Sequence, residues 1–99
     1  MLDEDGYPTE EALKRIAEWT WTDSLAMLEF VRELWCYQNF WTQQGDRLCI
    51  STGGRSGNES LIAAMQKNIG FWKLCWHQST RGGHYEFDLS RVRDLEAKV

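Results

Sequence analysis

Ninety-nine residues, 42% of them hydrophobic and 26% charged, describe one globular domain and exclude both a disordered chain and a multidomain one. The formal net charge of −4 is unevenly split: residues 1–46 carry ten acids and three bases, residues 47–99 five acids and eight bases. This excludes polymeric nucleic acid as a partner, since that rewards many phosphate contacts; the basic half suits one small anion and the acidic half a basic protein.

In chain order, residues 1–7 read as a loose acidic tail. Thr9 then predicts a helix cap, with Glu10 and Glu11 near the positive end of the helix dipole and Leu13, Ile16, Ala17 and Thr20 on one face. This helix is expected to end near Trp19, before Thr20, Trp21 and Thr22, which are poor helix formers. Thr22 or Asp23 caps a second helix, whose stripe of Leu25, Leu28, Val31 and Trp35 is the strongest periodic signal in the chain. Gln43-Gln44-Gly45-Asp46 is a turn, Arg47–Ser51 alternates as a strand, and Phe40-Trp41-Thr42 is its candidate hairpin partner.

The glycine-rich stretch Thr52–Gly57 leads into a third helix from about Asn58 to Asn68, which Gly70 ends. Phe71–His77 is predicted as a strand, Thr80-Arg81-Gly82-Gly83 as a tight turn needing positive φ, and His84–Leu89 as the returning strand. Ser90–Val99 has helical composition and is expected to be weakly held. The order predicts a single α+β domain, a small antiparallel sheet of three to four strands with helices packed on one face.

No apolar run approaches the roughly 18 residues of a membrane span. The acidic start is unlike a signal peptide, so a cytoplasmic chain without membrane contact is expected. Cys36, Cys49 and Cys75 form no C-x-x-C pair and are expected to be buried thiols rather than disulfides or zinc ligands. Neither a metal nor another cofactor is expected.

Two segments carry candidate chemistry. In Ser51-Thr52-Gly53-Gly54-Arg55-Ser56-Gly57-Asn58-Glu59 a strand feeds glycines and a helix start, so close main-chain N–H groups, hydroxyls and Arg55 converge as an anion site. Its spacing is not that of a P-loop. Ser56 and Glu59 are also explained as a capping box, which requires no ligand, although a box accounts for neither the glycines nor Arg55. The second segment, Trp76–Glu86, holds two histidines, Arg81 and flanking aromatics around a short turn.

On a strand, His84 and Glu86 share a face opposite Tyr85 and Phe87, as an acid–base pair or simply as a solvated sheet face. No G-x-S-x-G elbow marks a nucleophilic serine. Arg47, Arg55 and Arg81 would converge if the loop lies beside the hairpin, and arginine forks with stacked aromatics suit a nucleotide. The candidate ligand-binding residues are therefore Ser51, Thr52, Gly53, Gly54, Arg55, Ser56, Asn58, Trp76, Arg81, His84 and Tyr85.

Ser51-Thr52-Gly53-Gly54-x-Ser56-Gly57-Asn58-Glu59, then Phe71-Trp72-x-Leu74-x-Trp76, then Arg81-Gly82-Gly83-His84-Tyr85-Glu86-Phe87 resembles a family of small bacteriophage and prophage proteins over about residues 48–87. Members of that family often carry tryptophan where this chain has Arg55, a departure that withdraws stacking at that position. The resemblance implies phage origin and action in the cytosol of a bacterial host, as a non-enzymatic inhibitor of a host system. Its distinctive glycine, serine, arginine, histidine and aromatic residues favour sequestering a small anionic or nucleotide-like ligand. The alternatives are blocking a host protein through the acidic N-terminal half and hydrolysing a phosphate ester with His84 and Glu86. A chain of this size has little depth for a pocket, so a homo-oligomer sharing the site is expected.

Of the six tryptophans, Trp19, Trp21 and Trp35 are expected in the core. Trp72 and Trp76 are expected on one strand face, and Trp41 is unassigned.

Overall fold

A computed structural model describes residues 1–97. The helices are α1 (Glu10–Glu18), α2 (Ser24–Leu34), α3 (Ser56–Lys67), α4 (Ile69–Cys75) and α5 (Ser90–Ala97). The strands β1 (Trp41–Gln44), β2 (Arg47–Ser51), β3 (Trp76–Thr80) and β4 (His84–Asp88) form one antiparallel sheet in the order β1-β2-β4-β3. The fold is α+β, as expected.

Alternation along the strands separates the two faces of the sheet. Leu48, Ile50 and Phe87 are buried beneath the helices, where Phe71 and Trp72 of α4 meet Phe87 at ring distances of 5.6 and 5.5 Å. The opposite face presents Thr42, Gln44, Arg47, Gln78, Thr80 and His84, all exposed. The hairpin arm pairs with β2 as predicted, Trp41 opposite Ile50, but it runs Trp41–Gln44: Phe40 belongs to the preceding 3-10 turn, and Gln43 and Gln44, expected in the turn, pair with Leu48 and Arg47.

Thr9 caps α1 by accepting the Ala12 N–H at 3.2 Å, and the helix buries Ala12 and Ile16. The start of α2 differs from expectation: Asp23 occupies the cap position without a cap bond, its carboxylate accepting the Trp19 indole N–H instead. The tryptophans divide differently too. Trp35 and Trp41 are buried and packed edge to face, Trp19 and Trp72 are half-buried, and Trp21 is exposed.

The largest correction concerns Phe71–His77, which is helical through Cys75 and becomes strand only at Trp76. Its apolar residues fit both periods, because Phe71/Cys75 and Trp72/Trp76 are also four apart. Asn68 decides for the helix, accepting the Phe71 N–H at 3.3 Å and donating to the carbonyls of Ile16 (3.0 Å) and Trp19 (2.9 Å). Gly70 therefore lies inside α4 rather than ending α3, and a Cβ there would sit 2.8 Å from the Trp21 ring.

Both termini are better held than expected. Residues 1–9 close into a loop through the Leu2–Pro8 bridge, with Asp3 Oδ1 accepting the N–H groups of Asp5 and Tyr7. In α5, Val92 is fully buried and Arg93 pairs with Asp46 at 2.7 Å; residues 98 and 99 of the expected tail lie outside the described residues. Cys75 is buried, which pushes its thiol up to about 12, while Cys36 and Cys49 are only half-buried, so all three are free but one alone fits the expected burial.

Candidate ligand site

The register of β2 with β4 sets Ser51 opposite His84, and their side chains meet at 2.6 Å between Oγ and Nδ1. One residue further on, the Thr52 N–H donates to the Gly83 carbonyl at 3.0 Å. Gly83 has φ +83°, and a Cβ there would collide with Thr52 Oγ1, so position 83 requires glycine for conformation and for space. The glycine-rich loop and the β3–β4 hairpin, 30 residues apart in sequence, are thus one surface.

The loop turns through Gly53 (φ +62°) and Gly54 (φ +72°), closed by the Arg55 N–H donating to the Thr52 carbonyl at 3.1 Å. Gly54 faces open space. Arg55, not Ser56, stands at the cap position of α3, and no side chain accepts from the first turn. The expected Ser56/Glu59 capping box is therefore not formed; the Ser56 carbonyl instead accepts the Ser60 hydroxyl at 3.0 Å. The positive end of this helix lacks a side-chain acceptor of its own.

Asn58 does not reach the surface of the loop. It is fully buried, accepting the Cys36 N–H (2.9 Å) and donating to the carbonyls of Cys36 (2.8 Å) and Thr52 (3.2 Å), which uses its amide to hold the loop from behind. Trp76 and Tyr85 also stand apart. Trp76 lies opposite Phe87, at the end of β3 away from the turn, stacked on Trp72 at 6.2 Å. Tyr85, by alternation, faces the helical layer and meets the Trp72 ring at 6.3 Å.

The three arginines do not converge. Arg47 is opposite Asp88, at the far end of β2 from Ser51. Arg81 is exposed in the β3–β4 turn. Arg55 lies with its guanidinium carbon 5.8 Å from the centre of the Tyr7 ring. His84 and Glu86 share the exposed face as expected, and Glu86 accepts a long bond from Cys49 Sγ at 3.5 Å. Partial burial pushes the Cys49 thiol up, and the Glu86 hydrogen bond and charge add to this.

Two aromatics missed in the sequence flank the loop. Tyr37 and Phe40 pack edge to face at 5.5 Å, and a Cβ at Gly53 would lie 2.7 Å from the Phe40 ring. Both rings are exposed, and Tyr37 takes a left-handed backbone (φ 68°) that costs a non-glycine residue about 1 kcal/mol. Their one signal in the residues is that the helical periodicity of α2 fades around Tyr37 to Phe40. Tyr7 and Pro8 of the N-terminal loop approach Gly57 from the other side.

The site is a surface rather than a pocket. A groove of about 530 Å³ runs between α1 and α3 over Leu13, Ala17 and Ala63, and another of about 190 Å³ is lined by Leu28, Trp41 and Leu89; neither includes a loop or hairpin residue. Among the described residues, no three His, Cys, Asp or Glu side chains are grouped to hold a metal ion, and no helix is long and apolar enough to cross a membrane. Compared with known proteins, the chain matches no family model, no curated protein and no solved structure.

Proposed function

We propose that this chain is a small binding protein of bacteriophage type that sequesters a phosphate-bearing, nucleotide-like ligand in the cytosol of a bacterial host. The supporting observation is the junction of the two sequence candidates. Ser51 bonds His84, Thr52 bonds Gly83, and the uncapped start of α3 lies immediately beyond. Hydroxyls, loop and first-turn N–H groups and Arg55 supply the donors for a phosphate group. Tyr37 and Phe40 supply the exposed rings for a planar base, in place of Trp76 and Tyr85.

Calorimetry and thermal shift against inorganic phosphate and linear and cyclic nucleotides test this reading. A ligand at about 100 times its Kd raises stability by about 2.7 kcal/mol. Arg55→Ala is expected to weaken that binding, and no response to any of these probes overturns the proposal. A second protomer closing over so open a surface would give a dimer mass by light scattering, and a monomer in saturating ligand excludes it.

A second reading, inhibition of a host protein through the acidic half, is supported by the ordered N-terminal loop, which holds Glu4 and Asp5 exposed around the Asp3 cap. It predicts one stoichiometric host partner, retained by the parent chain and lost when Glu4 and Asp5 are neutralised.

A further inference from the structure

The geometry points to Ser51 as a nucleophilic serine, activated by His84, that accepts an acyl group from small activated esters. This goes beyond ligand sequestration and does not rest on it. No sequence motif announces the pair, because it is assembled across two strands rather than along one segment.

Three features support it. Ser51 Oγ lies 2.6 Å from His84 Nδ1, within the reach a general base requires of its nucleophile. The pair is held by the β2–β4 ladder on one side and the Thr52–Gly83 bond on the other, so the two side chains are positioned by backbone rather than by flexible loops. It also sits on the sheet face turned away from the helices, with His84 exposed and open space at Gly54 three residues beyond Ser51.

The chemistry closes without an added reagent other than water. Ser51 Oγ bonds to the ester carbonyl carbon while its proton passes to His84 Nδ1. The acyl C–O bond then breaks, and the alcohol leaves with that proton. Water attacks the acyl-serine, gives a proton to His84, and releases the acid as Ser51 recovers its hydroxyl. Glu86 shares this face but bonds Cys49, and among the described residues no carboxylate bonds His84, so the imidazole lacks an orienting acid and the dyad turns over slowly.

The test is covalent labelling of the full chain with a fluorophosphonate, in which Ser51 Oγ displaces fluoride at phosphorus, read by intact mass and by peptide mapping. One adduct on Ser51 is expected, none on Ser51→Ala, and an unchanged rate for Ser79→Ala. His84→Gln, which keeps a hydrogen-bonding side chain but no base, should slow labelling at least about 100-fold. It should also abolish the pH dependence of the rate and the slow release of p-nitrophenol from its acetate ester. Mapping on the parent chain keeps the result readable even where Ser51→Ala is unstable. No adduct in excess reagent, an adduct on another residue, or a parent-like rate for His84→Gln overturns the inference.

Discussion

The starts of α3 and α4 lie within one stretch of chain and are built in opposite ways. At α4, Asn68 is almost wholly buried and its amide closes the helix while bonding the end of α1. At α3, Arg55 stands at the cap position without a cap bond, and the buried amide nearby, Asn58, is spent on Cys36 and Thr52 instead. The first junction satisfies its own polar groups and fixes the packing of three helices. The second holds the shape of a loop from behind while leaving the front free. Polar closure marks the structural junction, and its lack marks the candidate site.

Asn68→Ala is the sharpest way to break this contrast. It leaves the Trp19 carbonyl and the Phe71 N–H without their partners and takes one of two donors from the buried Ile16 carbonyl, and the expected loss is about 3 kcal/mol. For a chain of this length, that corresponds to a fall in Tm of about 15 °C. A loss below about 1 kcal/mol would mean that helix propensity alone holds α4.

Asn58→Ala should cost somewhat less, about 2 kcal/mol, because the Thr52 carbonyl retains the Arg55 N–H as donor and Cys36 is only half-buried. Its second effect separates the junctions: ligand binding at the loop should weaken together with stability, whereas in Asn68→Ala the folded protein should bind as the parent does. Thermal melts paired with calorimetry on both variants measure this difference.

The contrast also explains what was legible in the residues. Thr9, the α2 stripe, the Gly45 turn and the strand alternation act locally, so their patterns predict the elements correctly. Phe71–Trp76 satisfies both the helical and the strand period, and the choice falls to Asn68 through contacts with Ile16 and Trp19 about 50 residues away. Both halves of the candidate site are legible as unusual segments. Their junction depends on the register that sets Ser51 against His84, and Tyr37 enters through a left-handed backbone that local composition does not announce.

The start of α5 lies between the two extremes. Asp88 Oδ1 accepts the Ser90 N–H at 3.0 Å, and that hydrogen bond is the main cause that holds the carboxyl below its usual range, helped by the Ser90 hydroxyl, Arg47 and His77. Asp88→Ala should cost about 1 kcal/mol at neutral pH, the usual worth of a cap. A carboxyl with a lowered folded pKa stabilises fully above its ordinary value near 4 and loses that contribution as pH falls through the lower folded value. The gap between parent and variant in acid melts should therefore close only below about pH 4, and a gap constant down to pH 2 would remove the charge from the account.

Ser56→Ala carries the smallest expected effect and the clearest division between cap and ligand. A capping-box serine replaced by alanine costs about 1 kcal/mol. Ser56 is instead the first residue of α3, and it is exposed, with no cap bond from its hydroxyl, so the variant should melt within about 0.5 kcal/mol of the parent. If the hydroxyl is one of the donors to a bound phosphate, the same substitution should weaken nucleotide binding while leaving the melt unchanged. A stability loss near 1 kcal/mol with unchanged binding would restore the capping box, close the start of α3 as Asn68 closes that of α4, and leave the glycines and Arg55 without the open helix end on which the binding reading depends.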